Sequence, residues 1–152
     1  MFAYTQIHRG DPLLKFKIYY TSSRNVAEAI ALAIGKVVGV TPERLNPAYM
    51  PDSVDLMFLG YDGSRSNQVV QDFIQTLKPS RVRCAALFNT NSTESMKAVT
   101  RMREALEAKG IQVLPDAYVC PSRPFQKDLE DFDQDAVLRF AAASVNFIRM
   151  KG

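Results

Sequence analysis

Short apolar runs alternate along this chain with segments of helical periodicity, and this alternation limits the possible folds more than any other feature. Four apolar runs predict strands: 16–20, 54–59, 82–88 and 111–120. Four segments with apolar side chains at helical spacing predict helices: 26–37, 67–77, 94–109 and 134–150. Strands that alternate with helices predict an α/β domain, in which helices cover both faces of a parallel sheet.

The boundaries of these elements follow from local signals. Residues 38–50 contain two prolines, so any strand there is expected to be short and to lie at an edge of the sheet. The last strand is expected to bend near Pro115. Gly60 is predicted to close the strand before it, residues 89–93 to form a polar turn, and Val69 to be buried by its helix.

Composition predicts one soluble domain. The chain has 152 residues, of which 47% are apolar and 23% charged, and this is enough to bury a sizeable core. Residues 1–14 are predicted to be an N-terminal extension, and residues 15–152 a single domain. No apolar run approaches the roughly 20 residues of a membrane span, and the first 14 residues lack the apolar core of a signal peptide. We therefore expect a cytoplasmic protein without membrane contact.

Several classes of function are disfavoured by residue counts. A single histidine and two distant cysteines, Cys84 and Cys120, do not suit a zinc site or a histidine-activated nucleophile, so no metal ligand and no catalytic residue is assigned. The net charge is only +3 and the basic residues are scattered, which argues against nucleic-acid binding. The glycine-rich motifs of dinucleotide and P-loop nucleotide sites are absent from the sequence.

The candidate site consists of three polar turns that follow predicted core strands: 21–25, 61–67 and 89–93. In open parallel sheets, ligands bind beyond the carboxyl ends of the strands, where these turns would meet. The first turn is the strongest candidate, since free backbone N–H groups and the dipole of the following helix both favour an anion there.

Residues 15–152 resemble flavodoxin in the order of their elements and in the first turn. The flavodoxin phosphate loop reads hydroxyl, any residue, Ser or Thr, Gly, Asn, Thr. Here the corresponding residues are Thr21, Ser22, Ser23, Arg24, Asn25 and Val26, so the glycine and the final threonine are replaced. The resemblance implies a flavodoxin-like three-layer sandwich, a five-stranded parallel sheet in the order 2-1-3-4-5, and a flavin mononucleotide (FMN) site at the three turns.

A second resemblance concerns the related flavin and quinone reductases. These enzymes carry Gly-Ser-x-Arg in the first turn and often Tyr-Asn-Gly-Ser in the second. Ser22 and Arg24 match the first motif, and the sequence Tyr61-Asp62-Gly63-Ser64 is similar to the second. The resemblance implies that Arg24 binds the flavin phosphate, where charge-assisted hydrogen bonds are strong.

The sequence supports two hypotheses for function. In the first, the protein binds FMN and exchanges electrons with a redox partner protein or a small-molecule acceptor. The cofactor-binding residues would be Thr21, Ser22, Ser23, Arg24, Asn25 and Val26 at the phosphate, with Tyr61, Asp62, Gly63, Ser64, Asn89, Thr90 and Asn91 flanking the ring. In the second, the domain has lost FMN and serves as a binding or interaction module, consistent with the replaced glycine and threonine and with few aromatic residues in the turns.

Overall fold

The computed structural model describes six parts of the chain: residues 14–21, 26–46, 51–61, 67–91, 93–121 and 134–151. The strands are β1 (Phe16–Thr21), β2 (Glu43–Arg44), β3 (Val54–Tyr61), β4 (Val82–Asn91), β5 (Gln112–Val113) and β6 (Tyr118–Pro121). The helices are α1 (Val26–Val38), α2 (Asn67–Thr76), α3 (Thr93–Ala108) and α4 (Gln134–Lys151).

All described strand pairings are parallel. The order across the sheet is β2-β1-β3-β4, and β5 and β6 both pair with β4, at successive positions along it. The predicted parallel α/β sheet is therefore confirmed. β2 is a two-residue strand at one edge, as the two prolines of residues 38–50 predicted.

The last strand differs from the prediction, because it is divided in two. Val113 of β5 pairs with Ala85, and Tyr118 of β6 pairs with Phe88. Between these two pairs the outer chain advances by five residues, whereas β4 advances by only three. The two extra residues of the outer chain form a bulge between β5 and β6. Pro115 lies in this bulge and has no N–H to donate to a neighbouring strand, so the pairing is interrupted there. The described sheet has six strands for this reason, rather than five.

Two hydrophobic layers hold the helices on the sheet. α1 and α4 pack together on one face, over side chains that include Ile18, Phe58 and Phe88. α2 and α3 pack together on the other face, over side chains that include Met57, Leu59 and Leu87. Residues of the central strands are buried on both faces, which explains why their sequences are nearly continuous apolar runs.

Two predictions about residues 54–77 are wrong. Gly60 lies inside β3, which continues to Tyr61, and it faces Phe88 so closely that an added Cβ would lie 2.3 Å from the Phe88 ring. Its role is this close approach and not the end of the strand. Val69 is 37% exposed, because α2 buries the neighbouring stripe of Val70, Phe73 and Ile74 instead.

Candidate functional site

The carboxyl ends of the central strands lie side by side. Thr21 at the end of β1 pairs with Tyr61 at the end of β3, and Tyr61 pairs with Asn89 in β4. The same row continues to Val119 in β6. Since parallel strands end at the same edge of a sheet, the chain leaves β1 and β3 from neighbouring positions.

The chain takes opposite directions from these two positions. α1 follows β1 and packs on one face of the sheet, whereas α2 follows β3 and packs on the other. The next two strands along the chain, β2 and β3, lie on opposite sides of β1, so the strand order reverses there. Such a reversal is the place where open parallel sheets bind ligands.

A cluster of three polar side chains, Tyr20, Glu28 and Arg44, lies beside the start of α1. The Tyr20 hydroxyl donates a hydrogen bond to Glu28 Oε2 at 3.3 Å, and the Arg44 guanidinium donates to the same oxygen at 3.2 Å. Cζ of Arg44 lies 5.3 Å from the centre of the Tyr20 ring, within the range of a cation–π contact. The cluster joins β1, β2 and α1, and Arg44 offsets the negative charge that Glu28 places near the helix N-terminus.

The two tyrosines near the end of β1 have raised pKa values. Burial raises the pKa of Tyr19 to about 12, and the Glu43 carboxylate adds to the effect. Burial also raises the pKa of Tyr20, with a further contribution from Glu28 that Arg44 opposes. Both phenols therefore stay protonated at neutral pH, where Tyr19 packs against Phe73, Tyr20 donates its hydrogen bond to Glu28, and neither serves as a general base.

The structure describes some of the predicted cofactor-binding residues. Thr21 and Val26 are half-buried, at the end of β1 and the start of α1. Tyr61 is only 3% exposed, and its ring belongs to the layer between the sheet and the helices α2 and α3. Seven other predicted residues lie outside the described parts of the chain: Ser22, Ser23, Arg24, Asn25, Asp62, Gly63 and Ser64.

The third predicted turn is wrong, because β4 continues through it. Asn89, Thr90 and Asn91 pair with Val119, Cys120 and Pro121 of β6, and this pairing holds the polar residues in an extended strand. Asn89 is 1% exposed. The composition of these residues is typical of a turn, whereas a neighbouring strand, β6, supplies the backbone pairing that lets them extend the sheet.

Sequence reasoning missed two features of the structure, a polar cluster and a surface groove. The Tyr20–Glu28–Arg44 cluster joins residues of three elements, and Arg44 lies in the short edge strand whose limits the sequence did not define. A groove beside the bulge between β5 and β6 was also missed. Pro115 was the available signal for the groove, but it indicated only a bend.

The described residues offer few groups for metal or thiol chemistry. No group of three His, Cys, Asp or Glu side chains among them is placed to hold a metal ion. Cys84 is a fully buried thiol in β4, as its apolar surroundings in the sequence predicted. Its sulfur lies 3.9 Å from Oε1 of Gln112 in the neighbouring β5.

Neither a protein-family model nor a curated protein sequence matches the chain. Among the helices that the structure describes, none combines the length and the apolar character required to cross a bilayer.

Proposed function

We propose that the chain is a flavodoxin-like protein that binds FMN and takes part in electron transfer or flavin-dependent redox chemistry. The observation that carries the proposal is the reversal of connections at β1 and β3 in a parallel sheet of order β2-β1-β3-β4, with β5 and β6 beyond. Flavodoxin-like domains bind their flavin at such a switch point. The bound flavin supplies the redox chemistry, and the protein supplies binding, orientation and electrostatics.

The phosphate of the flavin is proposed to bind where β1 gives way to α1. β1 ends at Thr21 and α1 begins at Val26, so residues 22–25 join a strand directly to a helix N-terminus, where the dipole favours an anion. Arg24 in this segment adds a positive charge. The ion pair between Arg44 and Glu28 supports the same site, since it offsets the carboxylate of the first helical turn.

Absorption spectroscopy and titration test this proposal. We expect flavin absorbance in the purified protein, or micromolar binding of added FMN by the apoprotein. The variant Arg24→Ala should weaken FMN binding about tenfold and riboflavin binding much less, because only FMN carries the phosphate. Arg83→Ala is the matched control, since it removes the same charge from an exposed position near the start of β4.

Two outcomes would count against this proposal. Equal loss of FMN and riboflavin affinity in Arg24→Ala would remove Arg24 from the phosphate site. A colourless protein that leaves the spectrum and the fluorescence of added FMN unchanged would reject the flavin altogether.

A second candidate function is a flavodoxin-like binding or interaction module without flavin. The burial of Tyr61 and Asn89, at 3% and 1% exposure, favours it, because side chains enclosed in the sheet are poorly placed to flank a flavin ring. The titration separates the two candidates directly. The module predicts no change in flavin spectra with the wild-type chain at any concentration tested.

A further inference from the structure

A groove of about 290 Å³ opens between α4 and the bulge that separates β5 from β6. Its walls are largely apolar and aromatic, with Tyr118 on the strand side and Phe140, Ala143 and Phe147 on the helix side. The rings of Tyr118 and Phe140 are 6.0 Å apart, and Phe140 also makes an edge contact with buried Phe58 at 5.9 Å. Core packing therefore fixes the Phe140 ring in the wall of the groove.

The groove exists because the outer strand is interrupted. The residues at positions 114–117 depart from β4 between β5 and β6 and line the groove on the strand side. The bulge is anchored at its first two residues. Leu114 N donates to Ala85 O at 2.8 Å, and Arg103 donates to the carbonyl of Pro115 at 3.3 Å. The opening is thus a fixed feature of the sheet edge.

Two opposite charges lie in the lining of the groove, Asp116 on the bulge and Arg139 on α4. Within the described residues, neither forms a hydrogen bond or an ion pair. Ser144, which also lines the groove, is already occupied, because its hydroxyl donates to the carbonyl of Phe140 at 2.8 Å. The charge pattern of the groove is therefore one carboxylate and one guanidinium beside an aromatic wall.

We propose that this groove binds an α-amino acid with an aromatic or large apolar side chain, in its zwitterionic form. The apolar side chain would lie against Phe140 and Phe147. The ammonium group would pair with Asp116, and the carboxylate with Arg139. Each charge of the ligand meets a charge of opposite sign, and each charge of the groove gains a partner.

The size and surroundings of the groove favour a small ligand over a protein partner. Its volume lies just below the ~300–1,000 Å³ typical of small-molecule sites, which suits a ligand no larger than an amino acid. A stable protein interface buries roughly 800 Å² on each partner. The exposed large apolar side chains in the described residues are scattered over three helices, as Leu32 on α1, Val69 on α2 and Met150 on α4, and none of them lines the groove.

Titration of the isotope-labelled protein with L-phenylalanine, followed by NMR, tests the proposal. We expect chemical-shift changes at Tyr118 and along α4, with a dissociation constant on the order of 1 mM for so small a ligand. Two analogues separate the charges. 3-Phenylpropanoate lacks the ammonium group and phenethylamine lacks the carboxylate, and each should bind about tenfold more weakly because one charge-assisted contact is lost.

Two charge variants complete the test. Arg139→Gln should weaken L-phenylalanine and 3-phenylpropanoate about tenfold and leave phenethylamine unchanged. Asp116→Asn should weaken L-phenylalanine and phenethylamine and leave 3-phenylpropanoate unchanged. Arg101→Gln on the opposite helical layer is the matched control, because it removes an exposed arginine that does not line the groove.

Three outcomes would overturn the proposal. One is the absence of shift changes in the groove at 20-fold the expected dissociation constant. Another is equal affinity for all three compounds, which would reduce the site to an apolar cleft. The third is a set of groove shifts that depend on protein concentration without added ligand, which would assign the groove to self-association.

Discussion

The centre of the sheet and its outer edge are built in opposite ways. β1, β3 and β4 pair without interruption, with Phe16 to Thr21 of β1 matched to Leu56 to Tyr61 of β3, and helices cover both faces. At the outer edge, two short strands share β4 and a bulge separates them. The centre is closed by packing, whereas the edge is open enough to hold a groove.

This difference explains where binding sites can arise in the molecule. In the closed centre, side chains such as Tyr61 and Asn89 are enclosed, so a ligand has access only beyond the strand ends. At the edge, the interruption of one strand leaves a groove in which partly exposed aromatic side chains of α4 lie beside two charges. Three measurements of stability test this difference: the first compares the centre with the edge, and the other two probe the packing of the centre.

The largest expected effect comes from a truncation in the centre. Phe58 is fully buried in β3, and Phe58→Ala should reduce the free energy of unfolding by about 3–5 kcal/mol, through lost burial and a cavity. Phe147 in the groove is half-buried, so Phe147→Ala should cost only about 1 kcal/mol. Urea unfolding of both variants measures the contrast. Equal losses would mean that the edge is as tightly packed as the centre.

A smaller effect is expected from an added methyl group at Gly60. Its Cβ would lie 2.4 Å from the backbone oxygen of Phe88, which cannot move without disturbing β4, so Gly60→Ala should cost about 3 kcal/mol. Gly39→Ala is the control. Gly39 has a positive φ of 77° but no atom within 4 Å of an added Cβ, so backbone strain alone should cost about 1–2 kcal/mol. A milder effect at Gly60 than at Gly39 would refute the close approach of β3 and β4.

The smallest effect concerns alkaline pH and Tyr19. The ordinary pKa of 10.0 applies to the unfolded chain, and burial raises the value in the folded protein to about 12. Below pH 10 the phenol is neutral in both states. Above pH 10 the unfolded state loses its proton before the folded state does, so stability should fall as the pH rises toward 12, by at most about 1.4 kcal/mol per pH unit. The free energy of unfolding of the wild type and of Tyr19→Phe, measured between pH 9 and 11, isolates this contribution. If the two proteins show the same pH dependence, Tyr19 ionises equally in the folded and unfolded states.

The sequence predicted the central part of the fold well, because each central strand is buried on both faces and is therefore apolar throughout. The edge was harder to predict. The polar residues from Asn89 to Asn91 have the composition of a turn, and only the pairing with β6 makes them a strand. The division into β5 and β6 depends on the register against β4, a long-range property that the Pro115 signal alone does not fix.

The candidate site was predictable to a similar, limited extent. The alternation of strands and helices indicated that the ends of β1 and β3 meet, and the pairing of Thr21 with Tyr61 agrees. The burial of Tyr61 was not predictable, since a tyrosine at a strand end packs inward or faces solvent depending on the helix above it. The contact of Glu28 with Arg44 was also beyond sequence reasoning, because 15 residues of intervening chain determine whether the two meet.

The short strand β2 has a consequence for how the protein behaves in concentrated solution. Long, flat edge strands offer rows of free backbone groups that recruit another chain, and this is a common route to aggregation. One edge of the described sheet is two charged residues long, with Glu43 ion-paired to Lys17, and the opposite edge is broken by a proline-containing bulge. Neither side presents a continuous template for intermolecular strand addition.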